Sequence, residues 1–330
     1  LDGAGETAGD SVTVTGTAVI EVFTVTGAVV QITGAQTTTL VDFESLSLNG
    51  NGGADVLTVN GTAGVDAFTL SATVVTVTGI PPINYAGFTT LILEGLASND
   101  TFTVTGTSAT SNINAGTGDD TITVTGPITA ALNVDGQGHA TLDTLNINGT
   151  AANDTFTVGG NSTTVGAGAA VAYANVEDLN LNALGGAGDV LNVSGTLLAD
   201  SFVLTRTTVT RVGSTPADYL NFETLTIDGL AGNDVFDVQS TAAGVASSVL
   251  GSGNDDSVTV LGDELDGALT VNGGADSDAL TVNGTAGNDS ITVTGTTVIV
   301  NGNPATTYSQ IETLTVNAQS GTDTITVFLT

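Results

Sequence analysis

The chain has 330 residues, with 34 acidic side chains against two basic ones, Arg206 and Arg211, for a formal net charge of −32. A surface of that sign repels nucleic acid and anionic lipid, so neither is expected as a partner, whereas divalent cations and cationic polymers are. Cys and Met are absent, which excludes disulfides, thiol catalysis and thiolate metal sites, and no apolar run is long enough for a membrane-spanning helix.

The first predicted element opens at Asp10, which is followed by Val12 and Val14, and this arrangement of an acid with apolar residues two and four places on recurs some nineteen times. It passes through Glu21, Glu44, Asp55, Asp66, Asp100 (Phe102, Val104), Asp120, Asp143, Asp154 (Phe156, Val158), Glu177 and Asp189. It continues through Asp200, Glu223, Asp234 (Phe236, Val238), Asp256, Asp278, Asp289 (Ile291, Val293) and Glu312, and ends at Asp323 with Ile325 and Val327. Side chains alternate faces along a strand, so each apolar pair points inward while the intervening Thr, Asn or Ser points out. The eight apolar residues named after Asp100, Asp154, Asp234 and Asp289 are therefore expected in the core.

Steps between these acids are multiples of about 11: Asp55 to Asp66 is 11, Asp234 to Asp256 is 22 and Asp289 to Asp323 is 34. Self-similarity of this kind predicts an all-β, right-handed parallel β-helix or β-solenoid of strand-turn units, running as one continuous repeat over residues 1–330. With 44 Gly, 4% aromatic residues and no Trp, the core is thin and many-turned, and no helix is expected. Two phasings compete. Three units per coil, about 34 residues, would stack Glu21, Asp55, Thr89, Asp120, Asp154 and onward in one edge; two units, about 22 residues, suit segments such as 234–257. A local hairpin through Gly295 and Thr296 in ITVTGTTVIV (Ile291 to Val300) is a further possibility.

The turns GTAGND (Gly284 to Asp289), GLAGND (Gly229 to Asp234), GTGDD (Gly116 to Asp120) and GSGNDD (Gly251 to Asp256) resemble the Gly-Gly-x-Gly-x-Asp-x-apolar turn of RTX calcium-binding repeats of bacterial secreted and surface proteins. The resemblance covers most of the chain in diluted form: units are nearer eleven residues than nine, and the second Gly is usually Thr or Leu. It implies calcium bound by turn carbonyls and by the carboxylates of Asp100, Asp120, Asp154, Asp234, Asp256 and Asp289. It does not extend to VEDL (Val176 to Leu179) or FETL (Phe222 to Leu225), where the Gly turn is missing. A physical argument runs the same way. Carboxylates stacked at the spacing of neighbouring strands repel by about 3.5 kcal/mol per pair at an effective dielectric of 20, and an oxygen-seeking cation relieves that. The plain alternative is turn chemistry, since Asn, Asp and Gly are default turn residues.

His139, alone of its kind, lies in the turn DGQGHA and reads as a solvated residue without partners. Arg206 and Arg211 read as partners for acids of neighbouring coils. Gly-rich loops here lack the Gly-Lys-Ser/Thr ending of a phosphate loop, and no acidic motif stands apart from the repeat as an active site would. The expected function is therefore non-enzymatic: an extracellular or cell-surface, calcium-stabilised solenoid that forms a fibre, matrix or adhesin stalk by stacking end to end with itself or within a longer array. Extracellular polysaccharide is a further possible partner. The alternative is an ice- or surface-binding solenoid using outward Thr pairs such as Thr101/Thr103, Thr121/Thr123 and Thr155/Thr157; a β-helix polysaccharide enzyme is a more distant one.

Overall fold

A computed structural model describes residues 9–35 and 37–328; of the opening segment LDGAGETAGD only Gly9 and Asp10 fall within it, and the closing Leu329 and Thr330 lie outside it. The chain forms two compact units, Leu1–Gly149 with Ser162–Asn180 and Thr150–Asn161 with Leu181–Thr330. Each is a β-solenoid built on two parallel-dominated sheets. The helical content among the described residues is one 3₁₀ turn, Gly262–Glu264.

In the first unit, one sheet carries Ser11–Thr15, Ser45–Asn49, Ala67–Leu70, Thr101–Val104, Thr121–Thr125 and Thr144–Asn148, and the other Val22–Thr26, Val56–Asn60, Thr90–Glu94, Thr110–Thr117 and Leu132–Gly138. The second repeats the scheme with Ser201–Leu204, Val235–Val238, Ser257–Leu261 and Ala279–Asn283 in one sheet and Val190–Ser194, Thr224–Asp228, Ala246–Ser252 and Leu269–Gly274 in the other. All eight expected core residues are buried. The Phe two places after the acid stacks along the coils, with ring centroids 4.6 Å apart for Phe68 and Phe102 and 5.2 Å for Phe202 and Phe236. Such offset rings add to the burial of large apolar area.

Both coil lengths occur, because some coils carry an antiparallel excursion. Short coils join strands in the registers Thr101↔Thr121 and Thr121↔Thr144, or Val235↔Ser257 and Ser257↔Ala279. Long coils, with registers such as Ser201↔Val235, appear where a strand doubles back. Ala67–Leu70 runs antiparallel to Val74–Val77, which runs antiparallel to Ile80–Ala86. Ser201–Leu204, Thr208–Arg211 and Ala217–Leu220 do the same. So does the hairpin read in the sequence, where Ile291 pairs with Val300 and Val293 with Val298. In three of these excursions a Tyr hydroxyl donates to the carbonyl of the first turn: Tyr85 to Ser71 (2.7 Å), Tyr219 to Thr205 (2.8 Å) and Tyr308 to Thr294 (2.8 Å). A uniform three-unit coil is thereby replaced. Thr89 does follow Asp55, but Asp120 stacks on Asp100.

Candidate cation-binding carboxylate ladders

The motif acids sit at the coil corner just before each strand, and in both units they are joined to one another. The N–H of one acid donates to a carboxylate oxygen of the acid one coil on. In the first unit this links Asp66 to Asp100 (2.7 Å), Asp100 to Asp120 (2.7 Å), Asp120 to Asp143 (2.8 Å) and Asp143 to Glu177 (2.9 Å). In the second it links Asp200 to Asp234 (2.7 Å), Asp234 to Asp256 (2.7 Å), Asp256 to Asp278 (2.9 Å) and Asp278 to Glu312 (2.8 Å). Shorter ladders join Glu21 to Asp55, Asp154 to Asp189 to Glu223, and Asp289 to Asp323. Each carboxylate therefore presents one oxygen to a backbone donor, which offsets part of the repulsion expected of stacked acids.

The second oxygen divides the acids into two classes, and the residue four places before the acid separates them. Where it is Thr, the carboxylate is closed from within its own turn. Thr62 donates its N–H (2.6 Å) and hydroxyl (2.9 Å) to Asp66 Oδ2, and Thr150 and Thr196 do the same for Asp154 and Asp200. Thr285 gives its N–H to Asp289 Oδ2 and its hydroxyl to Oδ1, and Asn301 adds a bond to Oδ1 (2.7 Å). These bonds, Asn301 first, hold the Asp289 carboxyl below its usual range.

Elsewhere the corner holds a left-handed residue: Leu96 at φ 76°, Leu230 at 75° and Ser252 at 76°, four places before their acids, and Gln137 at 67° and Leu184 at 67°, six and five places before Asp143 and Asp189. Its N–H is then captured two residues back, as by Asp135 for Gln137, Asn182 for Leu184 and Asp228 for Leu230. The carboxylate that follows is left with an orphaned oxygen. Asp55, Asp100, Asp120, Asp143, Asp189, Asp234, Asp256 and Asp278 are all buried, each with an Oδ2 that has no hydrogen-bond partner. Burial pushes Asp100, Asp143 and Asp256 up to about 6, against the bonds they receive, and raises Asp120, Asp234 and Asp278 as well.

Oxygen atoms gather around these orphans. At Asp55, Asp100, Asp234, Asp256 and Asp278 a Gly five places before the acid makes the space: a Cβ at Gly251 would lie 2.2 Å from Asp256 Oδ2 and 2.3 Å from the Gly273 carbonyl, and one at Gly95 2.0 Å from the Ala115 carbonyl and 2.7 Å from Asp100 Oδ2. A buried carboxylate oxygen facing a main-chain carbonyl is a donor set that suits a hard cation. Of the six acids to which the resemblance assigns calcium, Asp100, Asp120, Asp234 and Asp256 have this free oxygen, whereas in Asp154 and Asp289 the turn itself occupies it.

The two arginines and the histidine lie against acids. Arg211 Nη1 lies 3.1 Å from Asp200 Oδ1, and Arg206 reaches Glu264 (3.0 Å) and Asp266. His139, read in the sequence as a solvated residue without partners, is corrected: its Nδ1 lies 3.1 Å from Glu177 Oε2 and 3.8 Å from Asp143 Oδ2. The signal for this was the turn of residues 136–142, longer than its counterparts and ending on a ladder acid. No protein-family model matches the chain, and no curated protein matches it significantly.

Proposed function

We propose that the chain is a structural module of an extracellular or cell-surface material, a β-solenoid stiffened by calcium at its ladder corners and continued end to end by further coils. What supports this most is repetition: eight buried carboxylates, each at the coil corner before a strand, carry one unsatisfied oxygen each. A site repeated along a scaffold serves the scaffold, whereas catalysis needs one constellation set apart. Calcium belongs at Asp100, Asp120, Asp234 and Asp256 and at Asp55, Asp189 and Asp278, which also have a free Oδ2, with affinity suited to extracellular levels of about 10⁻⁴ to 10⁻³ M. The RTX-like turn sequences favour the same reading.

End-to-end stacking of copies is favoured by an exposed apolar pair on the strand Thr324–Val327. Ile325 and Val327 are 47% and 55% exposed, although Ile291 and Val293, their in-register partners, are 1% and 8% exposed. An apolar strand face of this kind suits the coil of a second copy. The ice-binding alternative has less support. The outward ladder Thr69, Thr103, Thr123 gives way to Asn146, and Thr157 faces Asn192.

Thermal unfolding in chelator and in millimolar calcium tests the proposal, since a ligand that binds only the folded state raises the melting temperature by mass action. A rise with calcium is expected; coincident curves would leave the turns as turn chemistry alone.

A further inference from the structure

One corner of the first unit differs in kind from the other seven orphaned ones. Asp143 is buried with Oδ2 unpartnered by any hydrogen bond, and into the space before it project His139 Nδ1 and Glu177 Oε2. The three donor atoms lie within 4.8 Å of one another, the one such His-containing group among the described residues. We propose that His139 Nδ1, Asp143 Oδ2 and Glu177 Oε2 form a Zn²⁺ site with one position open to water.

The donor set selects the metal class. An imidazole nitrogen with two carboxylate oxygens suits a borderline first-row ion rather than calcium, which takes oxygen ligands in larger number. Zinc bound at about 2.0–2.2 Å in tetrahedral geometry places its ligand atoms about 3.4 Å from one another. The observed 3.1 Å and 3.8 Å from Nδ1 to the two carboxylates bracket that value. From Nδ1 to each carboxylate, closure is a matter of tenths of an ångström at side-chain ends.

The surroundings hold the ligands in place. Asp143 Oδ1 accepts the Asp120 N–H (2.8 Å), and Glu177 Oε2 accepts the Asp143 N–H (2.9 Å), so both carboxylates are oriented by backbone donors. The loop that carries His139 is pinned by Asp119, whose Oδ1 accepts the successive N–H groups of Ala140 (2.9 Å), Thr141 (2.6 Å) and Leu142 (3.3 Å). Orienting partners of this kind are what a metal site needs beyond its ligands. The side chains of His139 and Glu177 are 33% and 36% exposed, which leaves an entry path and room for a water on the fourth position. The second unit supplies an internal control: Asp278 and Glu312 stack as Asp143 and Glu177 do, with Asp278 Oδ2 also unpartnered, but no His precedes them.

Because the chain has a single His, its imidazole C–H resonances report on this corner alone. The full chain is titrated with Zn²⁺ at neutral pH with calcium present in excess to occupy oxygen-only sites, and affinity is measured in parallel by competition with a chromophoric chelator. The expected result is that the His139 resonances shift and saturate at about one equivalent. His139→Gln should weaken the tight equivalent by about 100-fold, Glu177→Gln by at least about 10-fold, and Glu312→Gln not at all. Circular dichroism of each variant confirms folding. Imidazole resonances that stay in place or fail to saturate by about ten equivalents would overturn the proposal. So would a His139→Gln protein that keeps the same tight equivalent, or equal losses from Glu177→Gln and Glu312→Gln.

Discussion

The ladder of residues 66–177 and that of residues 200–312 are near copies, offset by 134 residues from Asp66 to Asp200 and by 135 from Glu177 to Glu312. Each runs through five acids joined by backbone N–H groups, opens on a turn closed by Thr, and then passes through three corners with an orphaned oxygen. They differ in what stands beside the chain of carboxylates. The second ladder has Arg211 against Asp200, at the position opposite Phe202 where the first has Val77 opposite Phe68. The first has His139 against Asp143 and Glu177, where the second has none. The backbone donor from the neighbouring coil is thus the constant feature, and the counter-group is variable. The orphaned oxygens are sites that can be filled differently without altering the coil.

The largest effect should come from the shared core and should be alike in both copies. Phe102→Ala and Phe236→Ala each remove one ring of a stacked pair and leave a cavity, at about 3–5 kcal/mol apiece. Chemical denaturation of the two variants checks this, and a loss confined to one of them would break the equivalence.

The next effect is the response to pH, shared by several carboxylates. Asp100 and Asp256 are raised to about 6 by burial, so the folded state holds their protons more tightly than the unfolded chain does. Without calcium, the stability these two carboxylates contribute is complete below about pH 4 and is lost as pH rises from about 4 to about 6. Asp66 and Asp120 face Asp100, and Asp234, Asp255 and Asp278 face Asp256, and their negative charge acts in the same direction. Melting temperatures across this range, repeated with Asp100→Asn and Asp256→Asn, should show a decline that both substitutions flatten.

Smaller again is the hydroxyl in the Thr-closed turns. Thr62→Val and Thr196→Val each remove a hydrogen bond to a carboxylate, about 1–2 kcal/mol by the usual worth of such a bond. The loss should be the lesser in Thr196→Val, because Arg211 still supports Asp200. Equal losses would show that the arginine adds nothing to this corner.

Much of the fold was legible because strand periodicity leaves a direct mark: the fixed offset from acid to inward residues placed Phe102, Val104, Phe236 and Val238 correctly. Coil length was not legible. An excursion such as 67–86 lengthens a coil by about half without disturbing the offset from acid to strand, and its Thr- and Val-rich sequence resembles any other strand. The hairpin at Ile291–Val300 was anticipated because Gly295 marks its turn, whereas the turn at 70–74 has no Gly. At the candidate site, the presence of Thr or Leu after the turn Gly was visible, but its consequence depends on where one N–H points. That direction follows from the left-handed backbone of residues such as Leu96 and Leu230. His139 went unrecognised because its partner Glu177 is 38 residues away in sequence and reaches it through the ladder.

The central claim is that the residue four places before a ladder acid sets whether its carboxylate is free to take a cation. Leu230→Thr converts GLAGND into the GTAGND of residues 284–289, and Leu96→Thr makes the corresponding change in the first unit. The deciding measurement is the calcium-induced rise in melting temperature of this double variant against the unaltered chain. The expected result is a higher melting temperature in chelator, as Thr closes Asp100 and Asp234, with a calcium-induced rise smaller by about two-sevenths if the seven calcium corners contribute independently. An undiminished calcium-induced rise in the double variant would contradict the claim.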